Sequence, residues 1–195
     1  MRSHRPLLLF RTATLAGLAV AGCAEPAPPP ATADTDVAAP LAPDTADVQG
    51  VARARARIRP VGDGTAEGLV TLTRVQGGTR VQAELDGLSS REYHALQILR
   101  GRDCAADPGL HLGAEAGTPH GGPYAPPGQR HLGDLGSVRG DDGAGRYDRI
   151  DADLDLSGTQ SPVGRAVVVR ALRDDAVSPG GAAGPVIGCG LLEPS

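Results

Sequence analysis

The sequence predicts an all-β domain, an antiparallel barrel or sandwich, and three observations carry that prediction. Apolar and polar residues alternate at period two in several short stretches. Those stretches are separated by turns rich in glycine, of which the chain has 28. No stretch shows convincing helical periodicity.

The predicted domain covers residues 51–195. It opens with VARARARIR (51–59), where Ala52, Ala54, Ala56 and Ile58 face one way and Arg53, Arg55, Arg57 and Arg59 the other. That pattern is a strand with one wet face. GDG (62–64) is turn chemistry, and GLVTLTRV (68–75) and TRVQAEL (79–85) flank QGG as a hairpin. EYHALQIL (92–99) is a fourth strand. From Gly101 to about Gly136 the chain is irregular and crowded with Gly and Pro. GRYDRIDADLDL (145–156), GRAVVVRAL (164–172) and IGCGLLE (187–193) are again strand-like.

The N-terminus stands apart from this domain. Arg2, Arg5 and Arg11 flank the apolar runs PLLLF and LAGLAVAG, a signal-peptide layout over residues 1–22 that is too short and broken for a spanning helix. VAGC (20–23) resembles a bacterial lipobox, which implies cleavage before Cys23 and lipid on its sulfur. Ala24 after that cysteine resembles sorting to the periplasmic face of the outer membrane. Residues 23–50, rich in Ala, Pro and Asp, read as a lipid-attached, disordered tether.

Removing residues 1–22 takes away three arginines, leaving 16 basic against 23 acidic residues, a balance of −7. An acidic export product is a poor nucleic-acid binder. The chain has no tryptophan, and Phe10 is its one phenylalanine, so the core rests on small aliphatic side chains and needs further constraints. Cys104 and Cys189, an even pair in an exported chain, read as a disulfide.

A metal is the second constraint. A structureless loop of this length is uncommon unless it is functional. His111, His120, His131 and Asp134 all lie in it. Zinc takes neutral imidazole nitrogen and carboxylate oxygen in a tetrahedron and can organise a loop without a core. Solvated loop histidines would explain one imidazole better than three beside an aspartate.

In order along residues 51–193, the chain carries GDGTAEGLVTL, GLSSREYHA, Cys104 with His111, HGGP (120–123), HLGDLGSV (131–138), LDLSG (154–158), VGRAVVVRALRDD (163–175) and GCG (188–190). This series resembles the copper/zinc superoxide dismutase family. The resemblance implies an eight-stranded Greek-key β-barrel with a long metal-binding loop, and a Cys104–Cys189 bond tying that loop to the last strand. It implies that His111 is the histidine bridging copper and zinc, and that His120, His131 and Asp134 complete the zinc site. It further implies that Asp174 bonds both His120 and His94, fixing ring orientation and tautomer.

The copper side of the resemblance is incomplete. The family places two histidines one residue apart on the strand before the long loop, where YHALQ offers His94 but then Leu96. The family's remaining copper histidine falls at Arg170, and its superoxide-guiding arginine at Val186. A complete two-metal site takes six histidines, and the mature chain has four. The expectation is therefore zinc without copper, with Arg170 filling the vacated volume, Leu96 packing apolar space and His94 left as a residual copper-type position. Dismutase activity is expected to be weak or absent. Two alternatives stand beside it: an active dismutase with an atypical copper site, and an envelope interaction module on a zinc-stapled barrel. No protein partner is legible in the sequence.

Overall fold

A computed structural model describes residues 50–104, 110–115 and 117–195. The expected signal peptide, Cys23 and nearly all of the tether lie outside the described residues. Among the described residues nine strands follow one another: β1 (Arg53–Pro60), β2 (Glu67–Val75), β3 (Gly78–Asp86), β4 (Tyr93–Ile98), β5 (Asp134–Arg139), β6 (Ala144–Asp151), β7 (Ala166–Arg170), β8 (Val186–Leu191) and β9 (Glu193–Pro194). There is no α-helix among the described residues.

Hydrogen bonding joins the strands in the order β5-β4-β7-β8-β1-β2-β3-β6, all antiparallel, with the short β9 beside β1. The two ends of that order meet: the Tyr147 hydroxyl of β6 donates to the Leu135 carbonyl of β5 at 2.6 Å. The result is a nearly closed barrel, and closing a sheet on itself removes exposed edges. The neighbours β4–β7 and β3–β6 are far apart in sequence, which is Greek-key connectivity.

The alternation read from β1 holds in its centre. Ala54, Ala56 and Ile58 are buried while Arg53, Arg55, Arg57 and Arg59 are exposed. The buried set continues through Val70 and Leu72 of β2, Val81 and Leu85 of β3, Leu96 and Ile98 of β4, and Val167 and Val169 of β7. Burying each such aliphatic side chain contributes about 1.5–3 kcal/mol.

Two boundaries differ from the sequence expectation. β6 ends at Asp151 because its partner β3 begins there, Thr79 lying opposite Asp151. Leu154 and Leu156 still enter the core, held by a bond from the Thr79 hydroxyl to the Leu154 carbonyl at 2.6 Å. β5 lies partly within the stretch expected to be irregular. Its pattern is hidden because Asp134, Leu135 and Gly136 are all buried.

The long loop is laced to the end of β4. Leu112 N donates to Ile98 O at 2.9 Å, Gly133 N to Leu112 O at 2.9 Å, and Ile98 N to Gly133 O at 3.0 Å. This approach needs glycine, since a Cβ at Gly133 would stand 2.2 Å from the Ile98 carbonyl oxygen. The first and last parts of the loop therefore meet beside one strand. A disulfide from Cys104 to Cys189 on β8 fixes the loop's start, with Cα atoms 5.8 Å apart.

Candidate metal centre

The lacing brings His111 and Asp134 together. His111 forms an isolated bridge with Leu99 just past β4, and Asp134 is the first residue of β5. His131 sits three residues earlier, and His120 approaches across the loop. The ligand atoms of all four lie within 4.8 Å of one another, and all four residues are buried. Asp134 Oδ1 is 2.6 Å from His111 Nδ1, 3.1 Å from His120 Nδ1 and 3.3 Å from His131 Nδ1.

The other sides of Asp134, His120 and His131 are held by the protein. Asp134 Oδ2 accepts the backbone N–H of His131 at 2.8 Å and of Gly121 at 3.0 Å. The distal nitrogen of His120 bonds Asp174 Oδ1 at 2.6 Å, and that of His131 bonds Thr118 O at 3.1 Å. With Nε2 as the donor in both rings, each Nδ1 presents a lone pair once the ring is neutral, as a metal ligand must be. His120 Nδ1 and His131 Nδ1 are buried without a hydrogen-bond partner. Two imidazole nitrogens and a carboxylate oxygen aimed at one point, with no donor between them, suit a cation.

The field has the same sign. Burial works against a charged His120, but Asp134 and Asp174 outweigh it and raise this imidazole to about 9. Burial likewise works against a charged Asp134, yet His111, His120 and two backbone N–H groups hold its carboxyl well below the usual range. Asp174 is also lowered against burial, by His120, the Ala176 N–H and Gln97.

The residues expected beside this cluster fall differently. His94 is buried, but its Nδ1 lies 3.2 Å from the Arg170 carbonyl oxygen and its Nε2 accepts the Ser89 N–H at 3.1 Å. Both ring nitrogens are thus committed to backbone, and the expected bond from Asp174 to His94 is corrected. Asp174 instead accepts from Gln97 Nε2 at 2.8 Å. The reason is the pleat of β4. Leu96 and Ile98 point into the core, so His94 shares their side, and the opposite side carries Ala95 and Gln97, with Leu99 next beyond the strand.

Gln97 is the residue that sequence reasoning missed. The available signal was parity: counting by two from the apolar pair Leu96 and Ile98 assigns the loop-facing side to Gln97. Arg170 lies on that same side, buried, donating through Nη1 to Gln97 Oε1 at 3.2 Å and through Nε to Gly184 O at 2.7 Å. Val186 pairs with Arg170 in the sheet and packs against the small cluster of Leu99, Ala166, Val168 and Cys189. The side of the tetrad where a second metal was expected therefore presents an amide, a guanidinium and aliphatic carbon. These groups do not fit copper.

Comparison with known proteins agrees with this architecture. The family model for copper/zinc superoxide dismutase matches residues 66–192. A Cu-Zn superoxide dismutase of Deinococcus radiodurans is 31% identical over 144 residues, covering 67% of this chain and 79% of that protein. One from Paramecium bursaria Chlorella virus 1 is 29% identical over 141 residues, covering 67% and 74%. The crystal structure of the clock protein EA4 superposes with a TM-score of 0.65 at 28% identity, over 75% of this chain and 96% of that one. Fold, loop and matched sequence together make this chain a member of the copper/zinc superoxide dismutase family.

Proposed function

We propose that this protein uses the family barrel as a zinc-stapled domain and does not cycle electrons through copper. His111, His120 and His131 through Nδ1 and Asp134 through Oδ1 would hold the zinc. When bound, zinc supplies a closed tetrahedral crosslink with no open position and no redox chemistry. The chain's own residues do the rest. Asp174 and the Thr118 carbonyl fix the outer nitrogens of His120 and His131, and two backbone amides fix Asp134.

The observation that carries the reading is Arg170. A permanently charged guanidinium, bonded to Gln97 and to the Gly184 carbonyl, stands where the family resemblance places a copper histidine. Like charges about 4 Å apart cost roughly 4 kcal/mol at an effective dielectric of 20, about three orders of magnitude in affinity. Arg170 thus opposes a second cation in addition to omitting a ligand. The N-terminal sequence supports export, lipidation at Cys23 and a 23–50 tether to the periplasmic face of the outer membrane.

Elemental analysis of the protein purified from the periplasm tests the metal reading. The expected result is about one zinc per chain, no retained copper after dialysis, and superoxide removal no faster than the metal-free protein. One tightly held, redox-cycling copper per chain would overturn it in favour of an atypical dismutase.

A further inference from the structure

Gln97 is fully buried and uses both ends of its amide. Its Nε2 donates to Asp174 Oδ2 at 2.8 Å and to Gly180 O at 3.3 Å, and its Oε1 accepts from Arg170 Nη1 at 3.2 Å. Only the amide nitrogen can serve the carboxylate and only the oxygen can serve the guanidinium, so the side chain has one orientation. Asp174 Oδ1 takes His120 Nε2 at 2.6 Å and the Ala176 N–H at 2.8 Å. Arg170 reaches the other way, to the Gly184 carbonyl through both Nε and Nη2. A continuous polar relay therefore runs Gly184–Arg170–Gln97–Asp174–His120.

The loop over this relay is shaped to it. Gly180 and Gly181 both have positive φ, 72° and 75°. A Cβ at Gly181 would stand 2.7 Å from the Asp174 carboxylate. The chain can close on that carboxylate only with glycine there.

We propose that Gln97 and Arg170 are positioning residues for the zinc site, holding Asp174 by hydrogen bonds and so fixing the tautomer and ring orientation of His120 without a second metal. The proposal rests on the zinc reading of the tetrad. A buried carboxylate with one oxygen unheld can turn, and the imidazole it carries turns with it. The neutral amide of Gln97 prevents that without offering a competing metal ligand. The guanidinium locks the amide and is itself tied to Gly184. Zinc affinity in this chain is then independent of copper.

The test uses the full chain in copper-free buffer, with two readouts. Zinc affinity is measured by competition against a chromophoric chelator. The His120 ring is read by nitrogen-15 spectra of the metal-free protein at a pH above about 9, where the ring is neutral and has a tautomer. Gln97→Met removes both amide bonds at similar volume. It is expected to lower zinc affinity on the order of 10–100-fold and to convert His120 from one tautomer to a mixture. Gln97→His restores a donor toward Asp174 and is expected to recover most of the affinity. Arg170→Met leaves that donor but frees the amide oxygen, and is expected to give the same two changes at smaller size.

Wild-type affinity with an unchanged His120 signal in Gln97→Met would overturn the proposal. Should that variant not fold, the same null result in Arg170→Met would overturn it. A wild-type chain that takes no zinc would overturn the tetrad reading instead, and the His120 spectrum would still decide whether Gln97 fixes the ring.

Discussion

Asp134 divides its two oxygens between two tasks. Oδ2 satisfies the amides of Gly121 and His131, and Oδ1 faces three imidazole nitrogens. The tasks separate by mutation. Asp134→Asn keeps an acceptor for the amides but removes the anionic ligand. Zinc affinity should fall at least on the order of 100-fold in chelator competition, more than for loss of a supporting residue. Asp134→Ala also strands two buried N–H groups, at about 1–3 kcal/mol each, visible in the denaturant midpoint of the metal-free form. Tyr147 offers a pH prediction outside the tetrad. Burial raises its phenol against the opposing influence of Arg149. A raised acid stabilises fully below the unfolded value of ~10, and that contribution is lost as pH rises through the folded value. Tyr147→Phe should delete a late phenolate step in an alkaline absorbance titration. At this scale the tetrad was legible because three of the chain's five histidines crowd one loop beside an aspartate. Gln97 was not, because glutamine is a poor metal ligand and the nearby imidazole of His94 drew attention three residues too early.

Among elements, strands with clean alternation were legible, and so were β4 and β7 with both faces buried, through their apolar runs, whereas β5 was not. β1 declares itself because its arginines face water. β5 is hidden because it is short, carries Gly136 at φ 89° and buries consecutive residues. β6 was extended too far because Leu154 and Leu156 continue the apolar spacing of Ile150 after the hydrogen-bonding partner has ended. Ile150 is exposed and Asp151 buried, so the buried side changes where the pairing stops. The Cys104–Cys189 bond acts between elements, spanning 85 residues from loop to β8. In the chain-entropy account a loop of that length contributes about 4.5 kcal/mol. Replacing both cysteines by serine should therefore cost roughly 2–5 kcal/mol in equilibrium unfolding under oxidising conditions.

For the whole molecule, the family fold is retained, and under the proposed reading the copper half of its metal chemistry is replaced. The inventory of imidazoles points the same way, since the four histidines from His94 to His131 cannot build a six-histidine centre whatever the register. The structure corrects the copper-side positions read from the sequence: His94 is tied to backbone and Leu96 lies in the core, while Gln97 and Arg170 bond each other beside Asp174 and Leu99 bridges to His111. Placing histidine at Gln97, Leu99 and Arg170, as Gln97→His, Leu99→His and Arg170→His together, should create copper retention through dialysis. Arg170→Ala alone removes the opposing charge but supplies no ligand, and should retain none. Metal stoichiometry after dialysis checks both, and copper held by the single variant would contradict the assignment.

The place of Asp134 at the very start of β5 has a mechanical consequence. β5 bonds to β4 on one side and touches β6 on the other where the sheet comes round to itself, so an ion gripping Asp134 also fastens that lip of the barrel. Stripping the ion should speed amide exchange along 134–139 first, before the distant β1–β2–β3 wall responds. Occupancy could then be followed in the backbone as the opening and shutting of a clasp.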